Sequence, residues 1–261
     1  MKLLTHPRFH WGAVRPQWIL VAGFASVILL GALLLMLPVS SRSGRVSLSP
    51  IEALFTATSA TCVTGLTVLD VESQFSRFGQ TLILLLIQIG GLGIMTFGTF
   101  LLVLTGRRMS VRNESLLASS LGGGETPNLR ALLYRTVTFT LLFEFCGATL
   151  LTWRHYRQGL AFSQALFQGV FHAVSAFCNA GFALFPSGAS LTGCQEDVPY
   201  LLTVMGLVIT GGLGFLVLHN LSQYKFWHRD RRTKGRIAIH SRMVLMATVV
   251  LILGSWLIFA L

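Results

Sequence analysis

Two glycines in this chain close short loops whose backbones could strip water from a monovalent cation. Gly65 ends the run Thr61-Cys-Val-Thr-Gly, and Gly181 ends the run Phe177-Cys-Asn-Ala-Gly. Glycine reaches backbone angles that a Cβ forbids, so carbonyls on either side of it can turn toward a common axis. Rings of such carbonyls replace the hydration shell of an ion in channel filters. The candidate ligands are the main-chain oxygens of Cys62, Val63, Thr64 and Gly65, and of Cys178, Asn179, Ala180 and Gly181. Neither loop contains Asp or Glu. K⁺ is served by several neutral oxygens, whereas a divalent cation would favour carboxylates.

The loops recur together with their surroundings. Phe55, Ala57, Ser59, Ala60, Cys62 and Gly65 return 116 positions later as Phe171, Ala173, Ser175, Ala176, Cys178 and Gly181. Farther on, Gly90-Gly-Leu-Gly93 returns as Gly211-Gly-Leu-Gly214. Small residues at that spacing allow helices to approach closely in lipid, so Gly90, Gly91, Gly93, Gly211, Gly212 and Gly214 read as packing positions, with hinges as the alternative. Thr58, Ser59, Thr61 and Ser175 precede the loops. They could hydrogen-bond behind a filter, or bond back to their own helix carbonyls.

The elements that must position these loops follow from hydropathy. The chain is 53% hydrophobic and 11% charged, with a mean hydropathy of +0.69. That predicts an all-α polytopic membrane protein with about four to six spans. The reading along the chain is a cytoplasmic N-terminus over 1–16, then a span, short helix, loop and span over 17–105. A cytoplasmic loop covers 106–130, a second such unit 131–222, and a basic loop 223–242. The first span of a third unit occupies 243–261. Ser49, Pro50 and Glu52 form a helix start, and the short helix from Ile51 to Ala60 is too short to cross a bilayer. Its counterpart runs from Ser163 to Phe177. The long apolar runs after the loops extend over Phe78–Thr105 and Tyr200–Leu221.

Charge sets orientation. The N-terminus, the 106–135 stretch and the 225–242 stretch hold fifteen of the twenty Lys and Arg, and the opposite side holds five. The positive-inside rule then places the N-terminus in the cytoplasm, and both short helices enter from outside. The net charge of +11 marks topology, not nucleic-acid binding. Cys62, Cys146, Cys178 and Cys194 show no metal spacing and read as small buried residues. Glu144 is the only acid in a predicted span, so it should face protein or water. His172, on the second short helix, reads as a packing or hydrogen-bonding residue. Asp70 and Glu72 lie just outside the first loop, where they could attract cations or simply be solvated.

These motifs resemble the Trk/Ktr/HKT superfamily of potassium transporters, in particular its bacterial TrkH/KtrB-type membrane subunits. The loop Thr61–Leu66, the helix before it, Gly-Gly-Leu-Gly and Ile239-His-Ser-Arg242 carry the resemblance. It implies four span–pore helix–span repeats around one pore, with one filter Gly per loop, matched here by Gly65 and Gly181. It implies K⁺ as the transported ion, no covalent cofactor, and the bacterial cytoplasmic (inner) membrane. Membrane lipid, a homodimer and a cytoplasmic nucleotide-binding regulatory subunit are the implied partners. The plant branch associates Ser at the filter position with Na⁺. Two Gly residues therefore favour K⁺, with Na⁺ or another monovalent cation as the alternative.

Two repeats and the first span of a third are present, so the expectation is an N-terminal fragment lacking the third and fourth repeats. An intramembrane enzyme would need one asymmetric site, and Gly188-Ala-Ser-Leu191 is a faint serine motif without a suitably placed His. A non-conducting membrane subunit is the remaining rival. Repetition of the loop favours a pore over both.

Overall fold

The computed structural model describes residues 16–42, 48–93, 129–185, 190–214, 217–218, 221 and 239–260. Expectations for the N-terminus, for residues 94–128 and for most of the basic stretch Lys225–Arg242 lie outside the described residues. Within them the chain is helical, with no strand beyond a single bridge between Ser41 and Phe75. The helices are α1 (Pro16–Leu35), α2 (Pro50–Thr61), α3 (Val71–Gln74), α4 (Arg77–Gly91), α5 (Leu129–Arg157), α6 (Phe162–Phe177), α7 (Val198–Gly212) and α8 (Ile239–Ala260).

Six of them pack as two groups of three. Helices α1, α2 and α4 touch one another pairwise, and so do α5, α6 and α7. The groups meet where α4 packs on α6. The core is shared across that seam: Ala53, Ala57, Ala60, Ile83 and Ile87 pack in one cluster with Phe171, Val174 and Ala180. Small residues on α2 let the neighbouring helices close around it. Tyr134–Arg157 and Ser241–Ile258 are long and apolar enough to cross a bilayer by length and composition. Most apolar side chains of α8 are exposed.

Local sequence explains the boundaries. Ser49 caps α2 in a full capping box: its hydroxyl accepts from the Glu52 N–H, and the Glu52 carboxylate accepts from the Ser49 N–H. Pro50 supplies the fixed φ of the first helical position. Helices α4 and α7 are capped by Ser76 and Asp197, which accept from the N–H groups of Gly79 and Tyr200. Both caps also anchor the end of the preceding long helix. Ser76 donates to the Val39 carbonyl just beyond α1 at 2.5 Å, and Asp197 takes the Arg154 guanidinium at the end of α5 at 2.5 Å.

The apolar runs Phe78–Thr105 and Tyr200–Leu221 are not uninterrupted helices. Helix α4 stops at Gly91 and α7 at Gly212, each after 15 residues. At 1.5 Å per residue that is about 22 Å, short of the ~30 Å hydrocarbon thickness. Gly93 and Gly214 break the helices with φ of +78° and +77°. Hydropathy does not register this break, because the apolar residues continue through it.

Candidate ion-binding loops

Each short helix ends in the same hydrogen-bonded cap. After α2, the Val63 N–H donates to Ala60 O and the Thr64 N–H to Ser59 O. After α6, the Asn179 N–H donates to Ala176 O and the Ala180 N–H to Ser175 O. These are Schellman caps, and they require a left-handed residue directly after the cap. Val63 at φ 56° and Asn179 at φ 58° fill that position, and they are the only non-glycine residues with positive φ among the described residues. Asn tolerates this conformation, whereas a β-branched Val is an outlier held by its surroundings. Gly65 and Gly181 follow two residues later, at φ +75° and +71°. The glycines are therefore not the helix caps; they bend the loop beyond them.

The two loops touch. A Cβ built on Gly65 would lie 2.8 Å from the Ala180 oxygen and 3.2 Å from the Gly181 Cα. A Cβ on Gly181 would lie 3.2 Å from the Gly65 Cα. Each glycine is thus required twice, by its own φ and by the neighbouring loop. Side chains of the short helices hold both loops from behind. Ser59 donates to the Leu66 carbonyl at 2.6 Å, and Ser175 donates to the Phe182 carbonyl at 2.6 Å. Ser59 also bonds the Thr64 hydroxyl at 2.9 Å. Thr58 does not face the loop; it donates back to Leu54 O at 2.7 Å. Thr61 is buried, and its hydroxyl has no partner among the described residues.

The paired glycines of α4 and α7 divide by role. A Cβ on Gly90 would strike the Thr61 carbonyl, and one on Gly211 would strike the Phe177 carbonyl. Each lets its helix pass directly beneath the last carbonyl of a short helix. Gly91 lies against Cys178 of the second loop, whereas a Cβ on Gly212 would meet, among the described residues, only the Asn179 amide nitrogen, at 3.8 Å. A Cβ on Gly93 or Gly214 would meet nothing within 4 Å among the described residues, and these two are the bends described above. Thr61, Cys62, Val63, Gly90, Gly91 and Cys178 line part of a cavity of about 590 Å³ below the loops.

The Cys178 thiol is wedged between Gly91 and Glu144, whose carboxyl it approaches at 3.9 Å. Glu144 is buried within the protein. All four cysteines are free thiols, but none is fully buried as expected: Cys62 and Cys146 are exposed and Cys178 and Cys194 half-buried, because the loop and helix faces that carry them are only partly covered. His172 is buried on α6 and accepts the Leu184 N–H through Nε2 at 3.0 Å. Glu72 turns partly inward: burial, then the nearby Asp70, push its carboxyl above the usual range, and Arg42 donates to its backbone carbonyl. Burial would raise the Asp197 carboxyl too, but the Arg154 guanidinium and the Tyr200 N–H hold it below the usual range.

Sequence reading missed Val63 and Asn179 as left-handed residues, and it missed Asp197. Ser76 and Asp197 are separated by the same 121 positions as Gly90 and Gly211. That offset was the available signal.

Residues 4–258 match the TrkH family, described as cation transport protein. The chain is 40% identical over 241 residues to the Ktr system potassium uptake protein B of Vibrio alginolyticus, covering 92% of this chain and 50% of that protein. It is 39% identical to the protein of the same name from Bacillus subtilis, with 92% and 51% covered. It is 37% identical to the potassium/sodium uptake protein NtpJ of Enterococcus hirae, with 94% and 52% covered. These relatives are transporters, not enzymes, and the chain spans about half the length of the curated relatives it matches. The chain belongs to the TrkH family of cation transport proteins.

Proposed function

We propose that this chain contributes two of the loops that form the selectivity filter of a potassium uptake pore. One observation carries the reading: Gly65 and Gly181 lie side by side, in the same left-handed conformation, each one residue before a carbonyl held by a short-helix serine. An enzyme site has no use for such duplication. The ion ligands are the carbonyls of residues 62–65 and 178–181, and the ion is K⁺. Helices α1, α2 and α4 form one repeat, α5, α6 and α7 the next, and α8 begins a third. Both short helices enter from the outer face of a bacterial inner membrane, with the N-terminus inside.

Two loops make half of a carbonyl ring, and dehydrating K⁺ takes a nearly complete one. The rest comes from further repeats of the kind that the longer relatives have room for. The Ktr-system names of two relatives support work as a membrane subunit beside other components. By resemblance those are a second copy and a cytoplasmic nucleotide-binding subunit. Na⁺ is the second reading, prompted by the potassium/sodium name of the Enterococcus relative. Glycine at both filter positions favours K⁺.

The test is uptake of ⁸⁶Rb⁺ by the complete protein in a bacterium lacking its own K⁺ uptake. The expected result is Rb⁺ accumulation displaced by K⁺ but not by equal Na⁺, lost in Gly65→Ser. Uptake that Na⁺ displaces as well as K⁺ does would favour the second reading, and unchanged uptake in the variant would contradict both.

A further inference from the structure

The residue of the first segment that corresponds to His172 is Thr56. Thr56 donates back to its own helix, at Glu52 O. His172 instead reaches forward twelve residues and takes the Leu184 N–H at 3.0 Å. One turn farther along α6, Ser175 holds the Phe182 carbonyl. Two side chains of one helix thus grip the chain directly after Gly181. Phe185 stacks on the imidazole, with ring centroids 4.7 Å apart, and Tyr200 meets it edge-on at 6.3 Å.

The segment has room to move if released. A cavity of about 240 Å³ lies behind it, lined by His172, Ser175, Asn179, Gly181, Phe182 and Tyr200 among others. Leu184 itself is buried, so its N–H cannot turn to water when the imidazole is lost. A ring nitrogen accepts a hydrogen bond only when its proton sits on the other nitrogen. Nδ1 has no hydrogen-bond partner among the described residues.

We propose that His172 is a positioning residue for ion selection: its Nε2 lone pair fixes the outer end of the second loop and so sets the spacing of the carbonyls at residues 178–181. The proposal rests on the reading of that loop as an ion-binding element. It separates acceptor chemistry from ring packing. Phenylalanine keeps the ring and its stack on Phe185 but has no lone pair. Glutamine loses the ring but offers a carbonyl of similar reach.

The experiment measures ⁸⁶Rb⁺ uptake against competing Na⁺ for the complete protein and for His172→Phe, His172→Gln and Gly181→Ser, normalised to protein in the membrane. His172→Phe is expected to lower Rb⁺ over Na⁺ discrimination about fivefold, the worth of one buried hydrogen bond, and His172→Gln to stay within about twofold of the parent. Parental discrimination in the Phe variant, or equal loss in both His172 variants, overturns the proposal. If the Phe variant does not reach the membrane, His172→Asn replaces it, since its shorter amide falls short of Leu184; equal discrimination in Asn and Gln variants then overturns the proposal. Unchanged discrimination in Gly181→Ser would instead remove the ion-binding reading itself, and the proposal with it.

Discussion

In the first loop the left-handed residue after the short helix is Val63; in the second it is Asn179. The backbone is the same and the side chains disagree about its cost. A β-branched residue there is disfavoured by about 1–2 kcal/mol, while Asn visits the region readily. The first loop has an extra tie, because Ser59 bonds both Thr64 and Leu66 O. The second has His172 on Leu184. The joints behind the loops differ likewise: a neutral Ser76–Val39 hydrogen bond in one group, and an Asp197–Arg154 ion pair in the other. Geometry is therefore what the two segments share, and each reaches it with its own chemistry. That is the pattern expected when the position of backbone carbonyls carries the function.

The sharpest way to break this comparison is at the glycines. Ser at either position must adopt a left-handed φ, but a Cβ on Gly65 would lie 2.8 Å from the Ala180 oxygen while the nearest atom to a Cβ on Gly181 is at 3.2 Å. Both variants should lose K⁺ over Na⁺ discrimination in ⁸⁶Rb⁺ uptake. Gly65→Ser should lose about tenfold or more, from backbone strain of about 1–3 kcal/mol, and Gly181→Ser should lose less. Discrimination equal to the parent in both would remove the reading of these loops as a filter, and loss at one glycine alone would break their equivalence.

A smaller effect separates Gly91 from Gly212. Ala at Gly91 collides with Cys178 and should cost about 1–3 kcal/mol, read as a lower Tm in detergent. Ala at Gly212 meets only ordinary contact and should be neutral in residues 1–261. On the proposed reading, a longer protein carrying a third such loop on that face would make both substitutions costly, which turns the pair into a probe of ring closure.

The smallest effect is at the outer joint. Asp197→Ala removes a helix cap as well as an ion pair, and should cost about 1 kcal/mol. Because the folded Asp197 carboxyl is held below its ordinary value, its contribution is complete at neutral pH. It is lost as external pH falls below about 4 and through the folded value. Thermal unfolding against pH should show an acid-side loss that Asp197→Ala lacks and Ser76→Ala retains.

Much of this was legible in the sequence because it is repeated or local. The offset between Cys62 and Cys178 marks the loops, and Ser49, Pro50 and Glu52 mark the start of α2 through contacts only three residues long. Other features left no such trace. Val63 carries no turn signal, since its φ is imposed by the cap of α2. The stops at Gly91 and Gly212 hide inside apolar runs. Arg154 and Asp197 lie 43 residues apart, and His172 reaches Leu184 through tertiary packing that periodicity does not register.

The central claim is that the two loops share one ion. Its most direct test is a crystal of the complete protein grown in Rb⁺, with the ion located by its anomalous scattering. The expected result is a peak touching carbonyls of residues 62–65 and 178–181 together. A peak confined to one loop, or bound sites only elsewhere in the protein, would contradict it.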